Sequence, residues 1–407
     1  MISYDEALSL LAEHVRPLGA ERVSLGQLLG RVIAEPVTAR CDMPRFDNSA
    51  VDGYAVSGSD LPALQRGEVT LELAGTVRAG EGPRTLRPGE TVQVFTGAPL
   101  PEGTAAVVMQ EDVERSGDGV RLSGPVRDGQ HVRRRGEEFR EGDIVVPSGC
   151  RATPAVVGAV ASAGWGSLVV YRLPRVGVLV TGNELVPPGE TLRDSAIYDS
   201  NTPLLLALLR SVGIEEVMAA RCGDDPSATR AALEKLLTEC NVVITSGGVS
   251  VGAHDVVRPA LRSLGVDEVF WRVAIKPGKP VFFGVTSGED PKYVFGLPGN
   301  PLSVAVTFLT LALPALRRLE GITVRDPFTW RAQLAAPARK KVGRVEFVPC
   351  VIRGDRSLTA EPIAERGSHM LGGFSRANGM FRFPLECELL HEGEDVAVCT
   401  LPWGVLE

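Results

Sequence analysis

The chain has 407 residues, 45 of them Gly and 29 Pro, with only 5% aromatics and a formal net charge of −7. That length implies roughly two to four domains, each large enough for its own core. A content of 44% hydrophobic and 23% charged residues excludes a disordered chain, and the acidic balance without an extended Lys/Arg-rich segment excludes a nucleic-acid binder.

The chain opens on Ser3-Tyr-Asp-Glu6, the spacing of a capping box, with Ala7, Leu8, Leu11 and Val15 on one face, which predicts a first helix. This start is acidic and amphipathic and does not read as a signal peptide, so a cytoplasmic protein is expected. From Val51 to Val146 short alternating apolar runs separated by Gly-Glu, Pro-Gly and Gly-Asp-Gly turns predict a β-rich module. The uncharged stretch from Pro154 to Tyr171 holds three Gly and two Ser and reads as a buried helix followed by a strand rather than a membrane span. The β module then reads as an insertion into a helical segment made by both flanks.

After Pro174 apolar runs alternate with helical patterns: strands near 175–180, 215–220 and 241–244, and helices near 203–212 and 226–240. This alternation predicts a parallel sheet with covering helices. Asp225-Pro226 and Asn300-Pro301 each set a capping residue before a first-turn proline. Beyond Phe328 short strands and turns predict a small β-barrel. The seven Cys are scattered without a C-x-x-C pair, which speaks against a disulfide framework or a zinc site.

Three segments could bind anions. Ser246-Gly-Gly-Val-Ser-Val-Gly252 follows an apolar strand, so that Gly247 and Gly248 permit close backbone approach while Ser246 and Ser250 add hydroxyl donors. The spacing is neither a Walker A loop nor G-x-G-x-x-G, and a plain tight loop stays open as the alternative. Pro298-Gly299-Asn300-Pro301 opens a long helix whose first amides favour an anion, or forms an ordinary strand-to-helix turn. Lys276 and Lys279 stand three residues apart on a turn stiffened by prolines. The carboxylates Asp52, Glu184, Asp224 and Asp255 sit beside Gly-rich or capped turns, and together they suggest hard oxygen ligands for Mg²⁺ beside an anion pocket. No G-x-S-x-G or paired-histidine motif supports a covalent nucleophile. Positioning plus a cation is the expected mechanism.

Taken in order, Phe46-Asp-Asn-Ser-Ala-Val-Asp-Gly-Tyr-Ala-Val56, Thr96-Gly-Ala-Pro99, Arg133-Arg-Arg-Gly-Glu137, Thr181-Gly-Asn-Glu-Leu185, the 246–252 loop, Ile275 to Pro280, Leu297 to Pro301 and Gly367-Ser-His369 closely resemble the molybdopterin molybdenumtransferases, the family of bacterial MoeA and of the E domain of gephyrin. The resemblance runs from the first helix to the barrel. It implies an α/β multidomain chain: a discontinuous helical dimerisation domain (1–45 and 147–173), an inserted β-rich domain (46–146), a three-layer parallel-sheet molybdopterin-binding domain (174–326) and a C-terminal β-barrel (327–407). It further implies a homodimer whose active cleft is shared between subunits, and insertion of molybdate into adenylated molybdopterin with Mg²⁺ present and AMP released. A molybdopterin adenylyltransferase would be a transient partner, and neither nucleic acid nor membrane is expected as one.

Carried over by motif, Glu184, Asp224 and Asp255 look like the Mg²⁺ and nucleotide environment, and Asp52, Thr96 and Glu138 belong to the inserted domain. Lys276, Lys279, Arg344 and Ser368 look like molybdate and phosphate contacts, with Ser246, Gly247, Gly248, Ser250, Pro298, Gly299, Asn300 and Pro301 shaping the pocket. Asn183 and Glu138 stand where Asp is frequent in the family, and Arg272 where Lys occurs. A related adenylyltransferase and a non-catalytic scaffold of the gephyrin type are the alternative readings. The inserted domain and the barrel argue against the first, and the intact acidic and lysine positions against the second.

Overall fold

The computed structural model describes residues 1–82, 84–117, 119–248, 256–354 and 357–405. The chain forms two compact units, a larger one (1–21, 30–32 and 170–407) and a smaller one (22–29 and 33–169). Helix α1 (Tyr4–His14), in the larger unit, begins with the expected capping box: Ser3 Oγ accepts from the Glu6 amide, and the Glu6 carboxylate accepts from the Ser3 amide. Its Tyr4, Ala7, Leu8 and Leu11 face joins the core of that unit.

The smaller unit carries a six-stranded sheet of β1 (Gly53–Ser57), β2 (Glu68–Val77), β3 (Glu90–Val94), β4 (Thr104–Met109), β5 (Val113–Ser116) and β6 (Gly119–Ser123), in the order β4-β1-β3-β2-β6-β5. Helix α2 (Pro154–Ser162), capped by Thr153, closes the unit and is followed by the strand Ser167–Tyr171, as the uncharged stretch predicts.

In the larger unit a six-stranded sheet is built from β7 (Val176–Thr181), β8 (Val217–Cys222), β9 (Val242–Ser246), β10 (Val266–Trp271), β12 (Phe282–Thr286) and β13 (Tyr293–Leu297), with the short β11 (Ile275–Lys276) between β10 and β12 in the chain. Its order is β8-β7-β9-β13-β12-β10. The first four strands are parallel, and β7, β9 and β13 are buried along their whole length, as strands covered on both faces must be. Helices α3 (Asn201–Ser211), α4 (Pro226–Glu239) and α5 (Val257–Ser263) supply apolar side chains to the two cores that flank the sheet. The sheet is mixed rather than wholly parallel, because β12 pairs antiparallel with both β13 and β10. The short connection through Gly288 and Pro291 from β12 to β13 is a hairpin; a parallel neighbour needs a crossover of a dozen or more residues.

Helix α6 (Pro301–Thr307) continues through a π-helical turn (Phe308–Ala312) into α7 (Leu313–Leu319). Pro314 has no amide to give the turn before it, and the carbonyl of Thr310 accepts instead from the Tyr4 hydroxyl, 3.3 Å away. The run Pro301–Leu319 is long and apolar enough to cross a membrane, yet 83% of it is buried, and it serves as the core helix of this unit. The chain ends in β14 (Trp330–Leu334), β15 (Val345–Arg353), β16 (Thr359–Pro362), β17 (Gly379–Phe383) and β18 (Asp395–Thr400). Pairing of β15 with both β16 and β17 closes these five strands into a barrel, with β11 added in parallel on β15.

Candidate functional site

Strands β7, β9 and β13 present their carboxyl ends to a single cleft of about 640 Å³. Chain order reverses between β7, which continues to β8, and β9, which begins the other half of the sheet. Open α/β sheets bind ligands at such a reversal, outside the carboxyl ends.

Thr181, the last residue of β7, lies under Gly247 and Gly248, whose φ values are +89° and +64°. A Cβ at 247 would stand 2.8 Å from the Thr181 carbonyl oxygen and 3.0 Å from its hydroxyl. Glycine is required there for both reasons, conformation and room. Ser246 departs from its expected role as an anion donor. Its hydroxyl is buried and donates to the Pro298 carbonyl at 3.1 Å, so it ties the β9 loop to the turn after β13. Asn201, at the start of α3, completes the tie: its Nδ2 donates to Ser246 Oγ at 3.0 Å and to the Gly299 carbonyl at 2.7 Å.

Asn300 stands at the N-cap of α6 but makes no capping bond with its side chain. Its Nδ2 donates to Ser368 Oγ at 3.1 Å, while the Ser368 carbonyl accepts from the Leu302 amide at 3.0 Å. The 368 segment therefore satisfies part of the helix terminus that was expected to be open to an anion. Asp225, by contrast, caps α4 through Ala228 N at 2.7 Å, as the Asp-Pro pair predicts, and the Ser227 hydroxyl, then the Ala228 amide, hold its carboxyl below the usual range.

Glu184 and Asp224 also line the cleft. Asp224 is placed by a reciprocal pair with Asn183: the Asn183 amide donates to Asp224 Oδ2 at 3.3 Å, and the Asp224 amide donates to Asn183 Oδ1 at 3.2 Å. Position 183 thus works as a hydrogen-bonding post for its neighbour. Gly182 leaves room for the Glu184 carboxylate, which a Cβ there would meet at 2.8 Å. Ser250 and Asp255 lie outside the described residues. Among the described residues no group of three or more His, Cys, Asp or Glu could hold a metal by itself.

The cleft thus gathers Glu184, Asp224, Ser246, Gly247, Gly248, Pro298, Gly299, Asn300 and Pro301. Lys276, Lys279 and Arg344 do not line it, but Pro280, next to Lys279, and His369, next to Ser368, do. The two lysines differ. Lys276 Nζ is 3.2 Å from Glu346 Oε2, whereas Lys279 is exposed and forms no ion pair among the described residues. Arg344 is half-buried at the entry to β15.

Asp52, Thr96 and Glu138 belong to the smaller unit. There Asp52 Oδ1 accepts from Thr96 N at 2.7 Å and Oγ1 at 2.8 Å, and the Thr96 amide, then its hydroxyl, hold the carboxyl below its ordinary range. Glu138 is exposed, and its amide donates to the Met43 carbonyl. Of the basic cluster at 133–135, Arg134 pairs with Asp47 and Arg135 with Asp42.

Sequence reasoning missed Thr181, Asn201 and His369 in the cleft and Glu346 beside Lys276. The polar run Asp199-Ser-Asn201 ahead of a helix was the available signal for Asn201, and His369 sat unused inside the Gly367-Ser-His string.

Three family models match the chain: the MoeA N-terminal region (domain I and II) over residues 2–164, a probable molybdopterin binding domain over 177–318, and the MoeA C-terminal region (domain IV) over 331–401. The molybdopterin molybdenumtransferase of Haemophilus influenzae is 35% identical over 404 residues, 98% of each chain. Molybdopterin molybdenumtransferase 2 of Mycobacterium tuberculosis is 34% identical over 412 residues, 98% of this chain and 100% of the relative. Among solved structures, a molybdopterin biosynthesis moeA protein from Pyrococcus horikoshii OT3 superposes with a TM-score of 0.83 at 30% identity, over 98% of this chain and 100% of that one.

Proposed function

Because the chain belongs to the molybdopterin molybdenumtransferase family, we propose that it inserts molybdate into adenylated molybdopterin and releases AMP. The observation that carries this reading is the cleft at the carboxyl ends of β7, β9 and β13, lined by two carboxylates and by a turn tied down by Ser246, Asn201 and Ser368. Its volume of about 640 Å³ suits a ligand of nucleotide size.

Each part of the site has a task in that reaction. Gly247 and Gly248 keep the loop free of side chains where the phosphate link of the substrate would lie. Lys279, with Lys276, Arg344 and Ser368, would replace the hydration of the molybdate dianion by charge-assisted hydrogen bonds. No protein nucleophile is needed, since the work is orientation and charge neutralisation about the bond between the pterin phosphate and AMP. Mg²⁺ is the cation the family resemblance implies, and Glu184 and Asp224 are the residues that would hold it. One or two carboxylates completed by substrate phosphate and water satisfy its demand for hard oxygen ligands, and when bound it supplies charge neutralisation on the phosphates. The resemblance also supports a cytoplasmic homodimer with a shared active cleft, supplied by a molybdopterin adenylyltransferase.

The test is incubation of the protein with adenylated molybdopterin and Mg²⁺, with and without molybdate, followed by chromatography of the nucleotides. The proposal expects AMP only when molybdate is present. Conversion of ATP and molybdopterin to the adenylated product would support the adenylyltransferase reading instead, and no turnover of either kind would leave the scaffold.

A further inference from the structure

Glu346 lies outside every expectation drawn from the sequence. Its side chain on β15 is only 3% exposed, yet it carries a carboxylate. Lys276 Nζ is 3.2 Å from Oε2, and Arg366 Nε is 3.8 Å from Oε1. Lys340, itself buried, also senses its charge, which opposes the effect of burial on the ammonium. One carboxylate thus answers three cations.

A buried ion pair is weak evidence of stabilisation, because desolvation offsets most of the Coulombic gain. What this one fixes is position. The parallel pairing of β11 with β15 sets Lys276 directly opposite Glu346 in register. Arg344 precedes Glu346 by two residues, and Arg366 precedes Ser368 by two. The segments bearing the lysine, the arginine and the serine assigned to the oxyanion therefore converge on a single side chain. An ammonium has three donors; one goes to Glu346, and the Lys276 side chain remains 48% exposed, with donors left for a ligand. A lysine already held in place loses less freedom on binding than one on a loose stem.

Resting on the function proposed above, we infer that Glu346 is a positioning residue for molybdate: it holds Lys276 and the 366–368 segment in the arrangement that receives the oxyanion. A competing effect has the opposite sign. The negative charge of Glu346 repels a dianion, so if it served only as a counter-charge, its removal would tighten molybdate binding. Positioning requires that removal weaken it.

The experiment measures molybdate binding by equilibrium dialysis, and binding of the adenylated pterin in parallel, for the full chain and for Glu346→Gln, Glu346→Asp, Lys276→Ala and the double variant Lys276→Ala/Glu346→Gln. Glu346→Gln should bind molybdate about tenfold more weakly, with pterin binding within about twofold of wild type. Glu346→Asp keeps the charge one methylene short and should recover part of the loss. In the double variant the losses should combine to less than their product, since part of the effect of Glu346 runs through that lysine and the rest through Arg366. Molybdate binding equal to or tighter than wild type in Glu346→Gln, or losses that multiply in the double variant, would overturn the inference. Should Glu346→Gln fail to fold by circular dichroism, Glu346→Asp decides by the same split between molybdate and pterin. A wild type that binds no molybdate would sink the functional reading and this inference with it, a pattern distinct from a wild type that binds and a variant that binds equally well.

Discussion

Truncating Lys279 and truncating Lys276 should damage the protein in different ways. The Lys276 ammonium is 3.2 Å from a carboxylate whose side chain is 3% exposed, and Lys276→Ala leaves that carboxylate with Arg366 at 3.8 Å and the charge of Lys340. Breaking a fully buried pair costs about 3 to 5 kcal/mol. Here half of the Lys276 side chain is in water and Arg366 remains, which brings the loss of folding stability down to about 1 to 2 kcal/mol. Lys279 is exposed and has no ion pair among the described residues, so Lys279→Ala should cost the fold less than about 0.5 kcal/mol. Toward molybdate the order differs, because a hydrogen bond from a cation to a desolvated dianion contributes about 1.5 to 3 kcal/mol, roughly ten- to a hundredfold in affinity. Urea denaturation and the molybdate dependence of AMP release separate the two effects. Lys279→Ala should unfold with wild type and need roughly ten to a hundred times more molybdate, at unchanged half-saturation for the adenylated pterin. Lys276→Ala should shift both the denaturation midpoint and the molybdate curve. Molybdate curves for wild type and Lys279→Ala that overlay would refute the ligand assignment and return the turn to solvated surface.

Gly247→Ala places a Cβ 2.8 Å from the Thr181 carbonyl at a φ of +89°; strain of about 1 to 2 kcal/mol plus a similar cost of contact should lower both the thermal midpoint and AMP release, and an unchanged midpoint would show that the loop yields. Asp224→Asn should raise the Mg²⁺ concentration needed for turnover and slow AMP release together. An unaltered Mg²⁺ titration would reduce Asp224 to a tie for Asn183. For Asp52 the carboxyl is depressed by the Thr96 amide and hydroxyl, so its stabilising contact is complete above the ordinary carboxylate value of about 4 and is lost as pH falls through the lowered one. Thr96→Val removes the hydroxyl donor and should move the Asp52 carboxyl titration, followed by NMR, upward; an unmoved titration would assign the depression to the backbone amide alone.

Local signals were legible in the sequence where one short segment carries the whole cause. The capping box of α1 and the Asp225 cap of α4 each need only three or four residues, and both form as expected. The direction of β12 was hidden, because an apolar run reads the same in a parallel or an antiparallel neighbour and only the short connection to β13 decides it. The cleft was half legible for a similar reason. Its glycines and carboxylates sit in conspicuous turns, whereas the ties that shape it join residues far apart in the chain: Asn201 to Ser246 across 45 residues, Asn300 to Ser368 across 68 and Lys276 to Glu346 across 70. Such partners are chosen by tertiary packing, of helix on sheet for Asn201 and Ser246 and against the barrel segment for the other two, which no spacing within a segment records. Asn300 shows the limit of local reading: it occupies the cap position that Asn-Pro predicts, yet spends its amide on Ser368.

The proposed reaction couples cleavage of the adenylate to capture of the metal. It is tested most directly by counting both products of one turnover, AMP by chromatography and pterin-bound molybdenum by elemental mass spectrometry after removal of free molybdate. One AMP should be released for each molybdenum retained on the pterin, and neither product should form without molybdate. AMP released at full rate without molybdate, or molybdenum retained with the adenylate intact, would contradict it.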